Sequence, residues 1–267
     1  MPLQLGNTAV SKMYLGDNEV TRMYLGDNLV YQSGPAPSSA GLYMVGETTD
    51  ALYTLDTTTG VATRVGTATQ FGVNETEPRD LASIGNTLYM VGTRNDALYT
   101  VDTTTGVATQ VGSSTQFGVN EMLPTGLAAS GNTLYMVGET NDALYTLDTT
   151  TGVATRVTNF LERFSGKYGL AFIGNTLYVV EQDFDRLYAL NISTGDATQI
   201  GTARRFGINE NRPTGLAAIE NTLYMLGRIT AALYTVDTTT GVATQVGSST
   251  QFGVNETQAS GLAYISD

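Results

Sequence analysis

Residues 134–155 read LYMVGETNDALYTLDTTTGVAT. Two Leu-Tyr pairs, at Leu134 and Leu144, each open a short run of apolar and β-branched residues, which is typical of a strand. Asp148 and Gly152 flank three threonines and favour a tight turn, because aspartate accepts local backbone hydrogen bonds and glycine takes a positive φ. The stretch therefore predicts two adjacent strands followed by a hairpin into a third.

This pattern occurs five times along the chain. Its first leucine falls at Leu42, Leu88, Leu134, Leu177 and Leu223, at intervals of 46, 46, 43 and 46 residues. In the third copy the strand candidates lie at roughly 126–130, 133–138, 143–148 and 153–157, with turn residues between them. Four strands in a repeat of this length are the signature of a β-propeller blade.

The two ends of the repeat region complement each other. The first copy begins at its second strand with Gly41, whereas residues 261–266 form an innermost strand that has no blade of its own. Joining them completes the first blade and leaves no strand edge open to aggregation. We therefore predict an all-β fold in which residues 41–267 form a five-bladed β-propeller. Each blade has four strands, and the C-terminal strand closes the first blade.

Residues 1–32 follow a shorter repeat. SKMYLGDNEV at 11–20 is followed by TRMYLGDNLV at 21–30, after a degenerate copy at 3–10. The Gly-Asp-Asn tripeptides predict small β-hairpins, and hairpins of this size cannot bury a core alone. We therefore expect an anchoring or oligomerisation module in a homo-oligomer, with a trimer favoured, and a linker at 33–40. The residues expected to make its contacts are Tyr14, Leu15, Tyr24 and Leu25.

The composition excludes several classes of function. The 267 residues include 13 Lys and Arg against 25 Asp and Glu, a net charge of −12, and contain neither cysteine nor histidine. Disulfides, thiolate metal sites and imidazole-based triads are therefore excluded, and the acidic balance argues against nucleic-acid binding. The start lacks signal-peptide character and no long apolar run follows, so we expect synthesis in a cytoplasm without membrane insertion. No cofactor or metal is predicted.

A Phe-Gly-Val-Asn-Glu motif lies in the connection between consecutive blades. In a structural interpretation, the phenylalanine caps the seam between blades and the Asn-Glu pair bonds local backbone. In a functional interpretation, the aromatic ring, the amide and the carboxylate form equivalent sugar-binding sites. The residues concerned are Phe71, Asn74, Glu75, Phe117, Asn120, Glu121, Asn255 and Glu256, with Asn209 and Glu210 in a variant copy.

One sector departs from the acidic repeats. Residues 156–228 carry eight of the 13 basic side chains and seven acidic ones, and the connection around 159–168 is shorter and richer in aromatics than the others. A partner or receptor patch would have this composition, although drift in two older copies would give the same pattern. The candidate binding residues are Phe160, Arg163, Phe164, Tyr168, Phe184, Arg204, Arg205 and Arg228.

The loops between the second and third strands of each blade also diverge. They read ETTD at 47–50, TRND at 93–96, ETND at 139–142, QDFD at 182–185 and RITA at 228–231, whereas the DTTTG turns on the opposite face are nearly constant. Selection on one face of the propeller would produce this difference, and so would relaxed constraint on loops.

The N-terminal repeat resembles a known class of sequence. Tandem Tyr-Leu-Gly-Asp units at the start of a chain are similar to the short repeats of bacteriophage tail and virion structural proteins. The resemblance implies attachment to a virion, with other virion or tail proteins as partners and the propeller displayed outward. The blade turn also resembles pyrroloquinoline-quinone-type propeller repeats. Because tryptophan is absent, that resemblance implies the strand geometry and not the cofactor.

Three functions follow from this reading. The leading hypothesis is a virion-attached tail fibre or tail accessory protein whose propeller face binds a host-surface glycan or protein. The alternative is a purely structural virion component, such as a capsid decoration or baseplate accessory, whose propeller contacts other virion proteins. A glycan-degrading enzyme is a minor alternative, because such enzymes need paired carboxylates and the innermost-strand segments 127–130, 170–173 and 262–266 carry none. We therefore expect no enzymatic activity.

Overall fold

The computed structural model places most of the repeat region. It describes residues 40–73, 75, 77–113, 115–121, 123–159, 168–181, 185–202, 205–208, 212–254 and 256–266, and, nearer the N-terminus, 4–5, 8–9, 14–15, 18–19, 22–25 and 28–32. The chain divides into two compact units, one of Met1–Ser39 with Asp267 and one of Ala40–Ser266.

The described part of the first unit consists of three two-stranded antiparallel sheets. They pair β1 (Gln4–Leu5) with β2 (Thr8–Ala9), β3 (Tyr14–Leu15) with β4 (Asn18–Glu19), and β5 (Arg22–Leu25) with β6 (Asn28–Gln32). The four residues assigned to anchoring lie in β3 and β5. Their side chains fall outside the described atoms, so the anchoring role stays a prediction.

The second unit contains five four-stranded antiparallel sheets, one for each blade. The first three blades after the linker contain β7 (Gly41–Gly46), β8 (Ala51–Leu55), β9 (Ala62–Arg64), β10 (Pro78–Ile84), β11 (Thr87–Gly92), β12 (Ala97–Val101), β13 (Ala108–Gln110), β14 (Pro124–Ser130), β15 (Thr133–Gly138), β16 (Ala143–Leu147) and β17 (Ala154–Asn159). The remaining strands are β18 (Tyr168–Ile173), β19 (Thr176–Glu181), β20 (Arg186–Leu190), β21 (Ala197–Gln199), β22 (Pro213–Ile219), β23 (Thr222–Gly227), β24 (Ala232–Val236), β25 (Ala243–Gln245) and β26 (Ala259–Ile265).

The first blade is closed by the C-terminal strand, as the sequence predicts. Its strand order is β26-β7-β8-β9. β26 pairs antiparallel with β7, so that Leu262 lies opposite Met44 and Ile265 lies opposite Gly41. The prediction of an all-β, five-bladed propeller with four strands per blade is confirmed.

The core lies between neighbouring blades. Leu42, Tyr43 and Met44 of β7 are at most 1% exposed, because the second strand of a blade has another blade against each face. Tyr43 packs in one cluster with Met90 and Tyr99 of the second blade, and Met44 packs in another with residues of the fifth. The Leu-Tyr pairs are therefore packing residues that hold the blades together.

The DTTTG turns have one local design. In the first blade, Oδ1 of Asp56 accepts hydrogen bonds of 2.8 Å from the backbone N–H groups of Thr58 and Thr59. These bonds, from Thr59 and then Thr58, lower the pKa of the Asp56 carboxyl. Gly60 closes the turn at a φ of +70°, and a Cβ atom there would lie 2.8 Å from the carbonyl oxygen of Val246 in the neighbouring blade. The turn therefore requires glycine for its backbone angle and for its packing.

Candidate functional site

The repeated phenylalanines lie inside the seams between blades. Phe71, Phe117, Phe206 and Phe252 are at most 1% exposed and have φ values between +51° and +54° in short 3-10 helices. A positive φ is unfavourable for a bulky side chain and persists only where packing enforces it. The rings are therefore anchors of the connections and are not available to stack on a sugar.

The glutamates of the same motif clamp the loops of the blade that they introduce. Oε1 of Glu121 accepts a hydrogen bond of 2.9 Å from the backbone N–H of Thr140, and Oε2 accepts one of 3.0 Å from Nδ2 of Asn141. Tyr145 also donates its hydroxyl to Oε2, at 3.5 Å. The carboxylate lies against Gly138, where a Cβ atom would come within 2.3 Å of it. One buried acid thus holds a whole loop in place.

The first and second blades use the same clamp. Oε1 of Glu256 accepts hydrogen bonds from the backbone N–H groups of Thr48 (3.1 Å) and Gln258 (3.0 Å). Oε1 of Glu75 accepts them from the backbone N–H groups of Glu77 (3.0 Å) and Arg94 (3.3 Å).

The three described glutamates of the motif are fully buried, and burial of such polar groups is tolerated because they are hydrogen-bonded. The geometry therefore supports the structural interpretation of the motif at Phe71, Glu75, Phe117, Glu121 and Glu256. Asn120 is described, with a φ of +58°. Asn74, Asn209, Glu210 and Asn255 lie outside the described residues.

The loops between the second and third strands of the blades end in one backbone conformation but carry different side chains, and described glutamate clamps hold three of them. Their last residues, Asp50, Asp96, Asp142, Asp185 and Ala231, have φ values between +46° and +53°. The second residue of each fully described loop is exposed. It is threonine at Thr48 and Thr140, arginine at Arg94 and isoleucine at Ile229, and Ile229 is 58% exposed. We call these four positions the loop face. It combines loops that end in the same backbone conformation with exposed side chains of three types.

Carboxylates lie close together beneath the loop face. Oδ1 atoms of Asp50 and Asp96 are buried and accept no hydrogen bond from the described residues. Burial, together with the charges of Glu75, Glu121 and Glu77, raises the pKa of Asp96 to about 6. Burial and the charges of Glu256, Glu75 and Glu47 also raise the pKa of Asp50. The clamp glutamates of two neighbouring blades thus raise the pKa of each aspartate.

Among the candidate binding residues of the divergent sector, Arg228 has a described side chain. Nη2 of Arg228 donates a 2.8 Å hydrogen bond to Oε1 of Gln258 and lies 3.5 Å from Oε2 of Glu47, so it links the fifth blade to the first. Tyr168 begins β18 and Arg205 begins a 3-10 helix, but their side chains fall outside the described atoms. Phe160, Arg163, Phe164, Phe184 and Arg204 lie outside the described residues, so their proposed binding role stays a prediction.

Sequence reasoning missed an acid at the propeller axis. Asp80, on the innermost strand β10, is fully buried. Its Oδ1 accepts hydrogen bonds from the backbone N–H groups of Leu81 (2.8 Å) and Leu262 (3.2 Å), and its Oδ2 accepts one from Leu127 (2.8 Å). Burial raises the pKa of the Asp80 carboxyl well above its ordinary value, while N–H donors from Leu127, Leu81, Leu262 and Leu170 oppose that rise.

Alignment of the repeats contains the signal that identifies Asp80. The residue before the corresponding leucine is glycine in the other four innermost strands, at Gly126, Gly169, Gly215 and Gly261. An acid in place of a repeated glycine is conspicuous. The expectation that the innermost strands lack paired carboxylates is based on segments that start at the repeated leucine, and Asp80 lies one residue before that leucine. Because Asp80 is sealed from solvent and is the only acid of the described innermost strands, it does not form the accessible pair that glycoside hydrolysis needs.

A narrow cavity of about 90 Å³ follows the axis. Its walls come from all five innermost strands. At the position two residues after the repeated leucine of each strand, the lining residues are Ser83, Ala129, Phe172, Ala218 and Tyr264. Oγ of Ser83 donates a 2.6 Å hydrogen bond to the carbonyl oxygen of Tyr264, and the ring of Phe172 packs on Tyr135 with 5.2 Å between centroids. The cavity is smaller than the pockets that usually hold organic ligands.

Two further features are absent from the described ranges. No group of three or more Asp or Glu side chains in these ranges has the arrangement needed to hold a metal ion. Within the same ranges, no helix has the length and apolar composition required to cross a membrane.

The fold defines the chain as a five-bladed β-propeller protein, and comparison with solved structures agrees. A chain of the nidogen–laminin complex matches with a TM-score of 0.55 at 12% identity, over 84% of this chain and 98% of that one. Virginiamycin B lyase from Staphylococcus aureus matches with a TM-score of 0.44 at 14% identity, over 84% and 76%. No family model and no curated protein matches the chain. The first similarity shows a shared fold.

Proposed function

We propose that this chain is a virion-attached binding protein. Its N-terminal unit docks onto other virion or tail proteins, and its propeller presents the loop face to a host-surface glycan or protein. The observation that carries the proposal is the loop face itself, where loops that end in one backbone conformation, three of them clamped by a buried glutamate, present threonine, arginine and isoleucine side chains to solvent.

The clamps give the loop face the properties of a binding surface. Each described clamp glutamate is buried and bonded to backbone N–H groups of its loop, so the loop is ordered before a ligand arrives. Preorganisation reduces the entropy lost on binding. Several weak contacts on neighbouring blades, and several propellers in one oligomer, would then add by avidity. Such a surface suits a repetitive target on a cell.

The two-unit organisation supports the attachment role. Residues 1–39 form a compact unit distinct from the propeller, and their described strands pair only two at a time. Isolated two-stranded sheets are marginally stable in water. The unit therefore needs copies of itself or a partner surface, which is consistent with the resemblance of its repeats to those of virion proteins.

The face opposite the loop face favours a second candidate, a purely structural virion component. Here Val61, Val107, Val153 and Val242, each following a DTTTG turn, are 38–41% exposed. A ring of equivalent, partly exposed valines suits repeated contact with other proteins of a particle. In this case the face that carries these four valines, the valine face, would be covered in the virion. The loop face would then carry no receptor specificity.

Binding assays with two double variants test the first proposal. Three proteins are applied to arrays of bacterial surface glycans and to whole bacterial cells. They are the full chain, the loop-face variant Arg94→Glu/Ile229→Asp, and the turn-face variant Thr58→Glu/Thr239→Asp, whose changes lie in the DTTTG turns. We expect the loop-face variant to lose binding at least about tenfold, corresponding to 1.4 kcal/mol or more, while the turn-face variant binds as the parent does. Equal binding by both variants, or no binding by the parent, would overturn the adhesive function.

Particle imaging separates the two candidates. A propeller whose loop face points away from the particle supports host binding. A propeller held between virion proteins through its valine face and its loop face supports the structural role.

A further inference from the structure

We infer that the propeller axis is a binding site for a small monovalent anion and that the side chain of Asp80 is its resident occupant. The site is built from backbone N–H groups of the innermost strands. It would accept a compact oxyanion of the size of formate when the Asp80 side chain is removed.

The donors converge from separate blades. Leu81, Leu127 and Leu262 donate backbone N–H groups to the Asp80 oxygens at 2.8, 2.8 and 3.2 Å, and Leu170 donates another. These leucines occupy equivalent positions in four of the five innermost strands. Several N–H groups directed at one point form the concave anion sites found elsewhere in backbone structure. Here the fivefold arrangement of the blades creates the concavity.

The hydrogen bonds favour the ionised form of the group. Every contact described for the two Asp80 oxygens is an N–H donor, so the hydroxyl of a protonated acid would meet donors and no acceptor. A buried carboxylate is tolerated when several N–H groups bond to it. The site therefore suits an acceptor with two oxygens, and its N–H donors oppose the burial that raises the pKa of Asp80.

The surrounding glycines explain why the site holds one carboxylate. A Cβ atom at Gly261 would lie 2.8 Å from Cα of Asp80, and one at Gly169 would lie 2.7 Å from the backbone nitrogen of Leu216. The innermost strands thus approach each other too closely for further side chains at this level. Two ionised acids would also repel each other in a buried interior of low dielectric constant.

Chemical rescue tests this inference. Asp80→Gly gives the second blade the residue found in the other four and leaves at least three buried N–H groups without their acceptor. Because each unsatisfied group is costly, we expect the midpoint of thermal unfolding to fall by on the order of 5 °C. Sodium formate should then restore the midpoint with a saturating dose response, relative to sodium perchlorate at equal ionic strength, and should leave the parent unchanged.

Two controls make the result specific. Asp102→Gly removes a carboxylate that bonds the backbone N–H groups of Thr104 and Thr105 in an exposed turn, and formate should not rescue it in a saturating manner. Asp80→Asn keeps the site filled with a neutral side chain, so it should be destabilised and insensitive to formate. If Asp80→Gly fails to fold alone, the yield of refolding in formate is measured instead.

The inference fails under three outcomes. It fails if Asp80→Gly is as stable as the parent in anion-poor buffer, if formate stabilises both glycine variants equally, or if neither the midpoint nor the refolding yield of Asp80→Gly responds to formate. A saturating response confined to Asp80→Gly supports it.

Discussion

At the scale of single residues, buried carboxylates shape this propeller. Glutamate and aspartate are seldom fully buried unless they are paired or hydrogen-bonded, yet Glu75, Glu121, Glu256 and Asp80 are all fully buried. Each is bonded to backbone N–H groups, at a loop or at the axis. The protein therefore uses buried acids as structural hydrogen-bonding groups.

Asp96 gives a pH-dependent prediction. Its carboxyl pKa is raised from 3.8 to about 6 in the native state, so its contribution to stability is fully present below pH 4 and is lost as the pH rises through 6. We expect Asp96→Asn to be more stable than the parent at pH 7.5, by about 1 kcal/mol after solvent screening. The gain should shrink on acidification. Urea unfolding at pH 4 and 7.5 measures it.

Asp56→Asn provides a contrast of opposite sign. Hydrogen bonds from Thr59 and Thr58 lower the pKa of Asp56, so its contribution is present at neutral pH and is lost as the pH falls through the native value. The variant should therefore be less stable than the parent at pH 7.5 and closer to it in acid. A gain for Asp96→Asn that does not change with pH would contradict the raised pKa.

At the scale of elements, the turns between strands differ in what they require of glycine. Gly152 and Gly131 both have a positive φ, of +72° and +56°. A Cβ atom at Gly152 would lie 2.8 Å from the carbonyl oxygen of Val111 in the preceding blade, whereas one at Gly131 has no heavy atom within 4 Å. The turn at Gly152 is thus part of a blade contact, and the turn at Gly131 is a local hairpin.

Paired alanine variants test this distinction. Gly131→Ala should cost about 1 kcal/mol, the strain of an alanine at positive φ. Gly152→Ala should cost about 2–3 kcal/mol, because the blades must also move apart. Chemical denaturation of both variants measures the difference. Equal losses of stability would show that the neighbouring blade can move away from the new Cβ atom without a further loss of stability.

The elements were predictable because the repeat supplies five versions of each. Leu-Tyr runs, the DTTTG turn and the surplus C-terminal strand define strand order and closure without any knowledge of packing. The burial of Glu121 was not predictable in the same way, since Asn-Glu in a polar connection has the composition of a ligand site. What decides its role is Gly138, whose missing side chain makes room for the carboxylate. The two residues are distant in sequence and meet only in the folded blade.

At the scale of the whole molecule, closure of the first blade unites the two ends of the propeller. Removal of residues 259–267 should expose the edge of β7 and remove the Leu262 donor from Asp80, so cooperative unfolding should be lost and aggregation should increase. Removal of residues 1–39 should leave the unfolding midpoint of the propeller within about 2 °C, because those residues form a separate unit. Calorimetry and light scattering distinguish the two outcomes. Similar behaviour of both truncations would contradict a closure based on β26.

The single carboxylate at the axis has a consequence for how such a chain can evolve. Nearly identical tandem repeats favour unequal recombination, which gains or loses one blade at a time. Duplication of the third blade would bring another Gly-Leu step, with Gly126 and Leu127, to the axis without adding charge. Duplication of the second blade would bring a second copy of Asp80 to a point with room for one. A copied second blade would therefore bring a second buried acid to the innermost strands, whereas a copy of any other blade would bring glycine at that position.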